Sequence, residues 1–223
     1  MVQTRADSIY LYNSVSSVAW PNYLAYIDRL VTQIPSFASH PLLYHELENG
    51  WWQRLFSLWH DRHLLTRTKE SVLMVSRPRW PLERILLVVR GQKGDETALF
   101  RAEQLAQASG AVVAILPIIP AWPVFYQKGN DVQADLDVIL QTNTSTGKLL
   151  HKYLSRLKQA NVPHYFCQQR GTPDQQIRQE VTERAHDIIV IGDEPRGRWH
   201  HWYLGEIISP LLRWLDRPLL IAR

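Results

Sequence analysis

From Arg84 to Arg223, short apolar runs alternate with stretches whose apolar residues recur every three or four positions. That alternation is the pattern of βα units laid into a parallel sheet. Ile85 to Arg90 (ILLVVR) is a continuous aliphatic run, as a strand covered on both faces requires, and Gly91 ends it. A helix is predicted from about Asp95 to Ser109, with Ala98, Ala102, Leu105 and Ala106 on one stripe, Glu96, Arg101 and Glu103 in water, and Gly110 as its C-cap. Ala111 to Ile119 reads as a second buried strand, and Pro117, Pro120 and Pro123 force an extended exit from it. After a long connection of mixed polarity, Gly147 to Ala160 places Leu150, Tyr153, Leu154 and Leu157 at helical spacing. PHYFCQQ is a third strand. The next helix begins with Thr172 as N-cap, Pro173 in first position and Gln175 as capping-box partner, and turns Ile177 and Val181 inward. DIIVIG and the closing PLLIAR are the fourth and fifth strands, separated by a loop and a helix that includes Leu211, Leu212 and Leu215. The fold class is therefore α/β: an open, parallel, five-stranded sheet with helices on both faces.

This order of elements, together with the tail DIIVIGDEPRGRWHHWYLGEIISPLLRWLDRPLLIAR, resembles the universal stress protein family over about residues 84–223. The resemblance implies the adenine-nucleotide α-hydrolase-like version of the fold. Nucleotide-binding members carry, after the fourth strand, Gly, two residues, Gly, nine residues, and Gly followed by Ser or Thr. Gly192 and Gly205 stand at the separation the motif requires. Such glycines let backbone N–H groups approach phosphate oxygens beside a helix N-terminus. The middle glycine is replaced by Pro195, which has no N–H, and the hydroxyl position by Glu206, whose carboxylate repels phosphate. Where the family carries an acidic residue after the first strand, this chain has Arg90, followed by Gly91. Ser209 and Pro210 also form an N-cap and first-turn pair, which starts the last helix later than in the family.

Gly192 and Gly205 are thus either a nucleotide cradle or two glycines that turn the chain. With Pro195 and Glu206 in place the expectation is no bound cofactor; ATP or another adenine nucleotide is the alternative. Arg90 and Arg198 supply positive charge for a different anion at the strand ends, where open α/β sheets bind ligands.

Residues 1–80 carry an echo of the tail. An offset of 147 (Gly197 minus Gly50) lays Ala38, Gly50, Trp52, Leu64, Leu65 and Leu73 on Ala185, Gly197, Trp199, Leu211, Leu212 and Leu220. Strand, glycine, aromatic loop, helix and strand follow in matched order. The reading is a truncated α/β half-repeat (1–80) before a complete domain (81–223), against the alternative of an unrelated helical cap. The half-repeat has a helix at Tyr23 to Thr32 with Leu24, Ile27 and Leu30 or Val31 inward, strands at Pro41 to Tyr44 and Val72 to Ser76, and lacks the first helix and first two strands. A partial sheet must dock on the complete domain or on a second chain. The resemblance implies pairing of Val72–Ser76 with Leu219–Ala222, and a homodimer. Trp51, Trp52, Trp59, Trp199 and Trp202 lie in the two equivalent loops, either as a protein-partner surface or buried against one another.

Composition narrows the function. A formal charge of +4 and pI near 9.3 permit attraction to an acidic partner, but the basic residues are dispersed along the sequence, so nucleic acid is not expected. No apolar run approaches the roughly 20 residues of a membrane span, and the N-terminus lacks a signal layout, so a cytoplasmic setting is expected. Cys167 is alone, and sits in an apolar strand as a packed thiol. His60 and His63 lack a third metal ligand, and His200 and His201 are adjacent. The phosphate-loop-like NTSTGKLL has Thr142 where the first glycine belongs, and Asn143-Thr144-Ser145 is a glycosylation acceptor only outside the cytoplasm. Hydrolytic catalysis has no support in the sequence. The expected protein is a regulatory or interaction protein of the universal-stress-protein type with impaired or absent ATP binding; the alternatives are an atypical nucleotide module and an adaptor for an acidic partner or nucleic acid.

Overall fold

The computed structural model describes residues 9–12, 25, 26, 28–30, 32, 42–46, 71–75, 77, 79–118, 145–169, 171–193 and 201–223. Its strands are β1 Ile9–Tyr12, β2 Leu42–Glu46, β3 Ser71–Val75, β4 Arg84–Val89, β5 Val112–Pro117, β6 His164–Phe166, β7 Ile188–Gly192 and β8 Leu219–Ala222. Its helices are α1 Gly94–Ser109, α2 Ser145–Gln159, α3 Pro173–Glu183 and α4 His201–Trp214, with further helical residues between 25 and 32. The long connection 119–144 and the loops with Trp51, Trp52, Trp59 and Trp199 lie outside the described residues, as do Leu24, Ile27 and Val31 of the first predicted helix.

β8, β7, β4, β5 and β6 form the parallel five-stranded sheet that the sequence predicts, in that spatial order. It does not stop at β8. β3 pairs antiparallel with β8 in the register Val72–Ile221, Leu73–Leu220 and Met74–Leu219, and β2 and β1 continue parallel to β3, giving one mixed sheet of eight strands. The expected pairing of the strand at Val72 with Leu219–Ala222 is present, and β1–β3 extend the five-stranded sheet within the same chain. β1 is a strand that the sequence reading did not contain: four residues in a polar setting give too short a run for periodicity to find.

Alternation sorts the strand residues into two layers. Leu73, Val75, Ile85, Leu87, Ile188, Val190 and Leu220 face α1, α2 and the helical residues Tyr26 and Leu30. Val72, Met74, Leu86, Val88, Ile189, Ile191, Leu219 and Ile221 face α3 and α4. Both layers run through the β3–β8 junction, so β3 shares the core rather than leaning on it. The connection between the halves is held as well: Trp80 packs edge-on against Tyr26 and under Arg29, and Arg79 pairs with Asp216 at 3.0 Å.

Two expectations need correction. Arg101, placed in water by the helical pattern, is 4 % exposed; its guanidinium lies over the Phe100 ring and donates to Gln104 Oε1. The last helix starts at His201, not at Ser209, and carries Pro210 inside it. An internal proline costs about 3 kcal/mol. The buried Ile207, Ile208, Leu211 and Leu212 each contribute roughly 1.5–3 kcal/mol and outweigh it.

Beneath α3 lies a buried polar cluster. Glu180, with no exposed side chain, accepts from Arg184 Nη1 at 2.8 Å on both oxygens, from Gln169 at 3.0 Å and from His186 Nε2 at 3.0 Å. Burial would raise its pKa; the bonds from His186, Gln169 and Arg184 overcome that and hold the carboxyl at about 2. Burial pushes the nearby Cys167 thiol well up, consistent with a packed, inert cysteine.

Because the folded pKa of Glu180 is depressed, its contribution is complete above the usual glutamate value of about 4.5 and is lost as pH falls toward 2. Urea melts are expected to show on the order of 3 kcal/mol lost across that window in the native chain. In Glu180→Gln the slope should flatten and stability at neutral pH should be lower. At the junction, Leu73→Asp puts a carboxylate opposite Leu220 in a dry layer, and a loss of about 3 kcal/mol or more is expected by the same measurement.

Candidate functional site

Ligands of open α/β sheets bind beyond the carboxyl ends of the strands, where neighbouring connections leave to opposite faces. In this chain that place is between β4 and β7, which are parallel neighbours followed by α1 on one face and α4 on the other. β4 leaves through Arg90 and Gly91, and Gly91 has φ +76°, a conformation that glycine adopts without strain. Asp95 then folds back over the turn. Its Oδ2 accepts from the N–H of Arg90 at 2.8 Å and of Gln92 at 3.0 Å, so the amides that could hold an anion already hold a carboxylate of the chain. Burial pushes the Asp95 carboxyl above its usual range, with the Gln92 and Arg90 amides and the Arg90 charge pulling the other way.

The first turn of α1 lies directly against the end of β7. A Cβ on Gly94 would fall 2.1 Å from the Asp193 carbonyl oxygen, and one on Gly192 would fall 2.2 Å from the Gly94 carbonyl oxygen. Two backbones meet here, and only hydrogen fits between them. Across this contact Arg90 Nη2 donates to the Gly192 carbonyl oxygen at 2.5 Å. One residue on, Asp193 accepts from Arg223 Nε at 2.5 Å, and the Arg223 N–H donates to Ser71 Oγ at 3.1 Å, which ties the strand ends to β3. Among the described residues, Arg90 and Arg223 stand with Asp95 and Asp193 at these strand ends, two cations and two carboxylates.

Of the residues singled out from the sequence, Arg90, Gly91 and Gly192 come together at this place. Gly205 and Glu206 do not supply a helix N-terminus. They lie in the second turn of α4, where backbone N–H groups belong to the i to i−4 ladder. Pro195 and Arg198 lie outside the described residues. Asp95, Asp193, Arg223 and Gly94 went unnoticed in the sequence. A signal for one existed: Asp95 follows Arg90 by five residues across two glycines, the spacing of a side chain that closes its own turn.

Among the described residues no group of His, Cys, Asp and Glu could hold a metal ion, and no helix is long and apolar enough to cross a membrane. The model of the universal stress protein family matches residues 81–223. The chain belongs to the universal stress protein family. No curated protein matches it. Among solved structures it is similar to a universal stress protein from Archaeoglobus fulgidus DSM 4304, at 14 % identity and a TM-score of 0.58, over 87 % of this chain and 64 % of that one. The chain thus spans less than two thirds of that protein's length. A putative universal stress protein from Pseudomonas aeruginosa UCBPP-PA14 superposes over 96 % of this chain and 81 % of its own, at 14 % identity and a TM-score of 0.55. A functionally unknown protein from Pseudomonas aeruginosa PAO1 does so over 96 % and 80 %, with a TM-score of 0.53 and the same identity. At such identities the likeness is one of fold.

The glycine contact is directly testable. Gly192→Ala drives a methyl into the Gly94 backbone, and overpacking of that kind costs about 2–3 kcal/mol. Gly91→Ala meets no atom within 4 Å and suffers only its left-handed backbone, about 1 kcal/mol. Denaturant melts of the two variants should rank in that order.

Proposed function

We propose that this universal stress protein family member is a regulatory or interaction scaffold in which the strand-end crevice is filled by the chain's own charges, so that adenine-nucleotide binding is impaired or absent. The observation that carries the reading is the Arg90 guanidinium held on the Gly192 carbonyl, where the family resemblance puts an acidic residue. A phosphate needs unsatisfied donors and a surplus of positive charge. The Arg90 and Gln92 amides are already in use by Asp95 and the Arg90 Nη2 by the Gly192 carbonyl, and the Arg223 charge beside them is paired with Asp193.

On the same reading, residues 1–80 are a degenerate repeat of 81–223. β3, β2 and β1 run outward from the junction in the mirrored order of β8, β7 and β4, which favours a repeat keeping the first, fourth and fifth strands, so that the second and third strands are missing and not, as the sequence suggested, the first two. Tyr26 and Leu30 sit in the layer of α1 and α2, so the helical residues 25–32 correspond to a helix after the first strand. The superpositions over 96 % of the chain support this arrangement. One consequence concerns assembly. β3 covers the outer edge of β8, so the homodimer expected from the sequence has to use another face.

Thermal melts and calorimetry of the ligand-stripped protein with ATP, ADP and AMP plus magnesium test the proposal. One site filled at a hundred times its dissociation constant stabilises the fold by about 2.7 kcal/mol. No shift and no saturable heat at millimolar nucleotide is the expected outcome. A clear shift would sink the scaffold reading and promote the nucleotide module.

A further inference from the structure

Laid on the complete domain, the half-repeat sets β1 on β4, β2 on β7 and β3 on β8. The match is informative where it stops. β4 lies between two parallel neighbours, β7 and β5, and pairs with both. β1 has the equivalent of the first, β2, along all four of its residues, and among the described residues nothing in place of the second. Chain length gives the reason. β4 and β7 are separated by residues 90–187, which hold two strands and three helices, whereas residues 13–41 between β1 and β2 are too few for such units and include the helical residues 25–32. The sheet thus ends on a strand whose counterpart is interior. Its residues are still those of an interior strand: Ile-Tyr-Leu-Tyr has neither the charge nor the proline that keeps an exposed edge from pairing. The sheet's other end is different in kind, because β6 is the outermost strand of the complete domain itself and no neighbour is missing there.

We infer that the outer edge of β1 is an interface between two copies of this chain, in which the β1 strands pair antiparallel across a two-fold axis and join two eight-stranded sheets into one. The inference rests on reading residues 1–80 as a truncated repeat, and it names the face that assembly uses. In a strand paired on one side, the backbone N–H and C=O groups of alternate residues point away from the sheet and need partners. The chain meets the same need at β8, another uncharged apolar strand, by laying β3 antiparallel along its edge. For β1 a second copy supplies the equivalent strand. A two-fold axis normal to the sheet brings two identical rows together antiparallel, so each outward donor meets an acceptor with no further demand on sequence, and the contact closes at two subunits. The axis also keeps each face of the sheet on its own side, so the layer of Tyr26 and Leu30 meets the same layer of its partner. A strand from an unrelated protein would have to bring a matching sequence of its own.

Hydrogen exchange of the full chain at several protein concentrations, read beside sedimentation velocity, tests this. Two of the four β1 amides bond to β2 and two point outward, and the outward pair alone reports the interface. Expected are a species of twice the 26.0 kDa chain and an outward pair whose exchange slows about tenfold or more as that species fills. Tyr10→Pro and Leu11→Pro each remove one N–H, on opposite sides of the strand. The variant on the outward side should be monomeric with an unchanged melting temperature, and the other should melt lower. A monomer at every concentration, a dimer that leaves the outward pair unprotected, or an outward pair already protected in the monomer overturns the interface. Absence of protection at all four amides overturns the repeat reading together with it, so the two failures are told apart.

Discussion

The antiparallel pairing of β3 with β8 is the contact on which the rest of the structure depends. PLLIAR is apolar on both faces, and at the edge of a five-stranded sheet it would leave an unpaired row of backbone groups beside exposed leucines. With β3 beside it, β8 becomes an interior strand in which Leu219, Leu220, Ile221 and Ala222 are all buried. Two core layers then run uninterrupted from β3 into the five-stranded parallel sheet. Trp80 against Tyr26, and Arg79 with Asp216, add further contacts across the same junction.

The same junction reaches the strand-end crevice. The final Arg223 receives its place from β8, gives its backbone N–H to Ser71 of β3 and its guanidinium to Asp193. On the other side of β7, the Gly94–Gly192 backbone contact brings Arg90 and Asp95 within reach of the same strand end. At the strand ends where open α/β sheets receive ligands, the described charged groups of this chain therefore bond to groups of the chain itself. Fold and site chemistry part company here: the fold is that of the universal stress protein family, while the groups at the strand ends answer one another.

Much of this was legible in the amino-acid sequence because it depends on local periodicity. The four C-terminal helices, the five parallel strands, the Gly110 C-cap at φ +74° and the Thr172–Gln175 contact at 3.0 Å all follow from patterns a few residues long. The substitutions at Arg90, Pro195 and Glu206 were visible in the same way, as departures from a spacing. Arg101 and Pro210 were misread for one reason: helical pattern and capping preference treat a helix in isolation, whereas contact with Phe100 and burial of Ile207 to Leu212 come from packing.

What the sequence by itself determined is which segments of 84–223 are strands and helices, and that Pro195 and Glu206 stand in the nucleotide-type glycine spacing. Only the tertiary structure decided that β1 exists as a strand, that the β8 edge is covered by the same chain, that Arg90 reaches the Gly192 carbonyl and that Arg223 meets Asp193 and Ser71. Those facts involve residues up to 152 positions apart, as Ser71 and Arg223 are. Contacts at that range are set by how layers pack and which edges pair, and neither leaves a period in the chain.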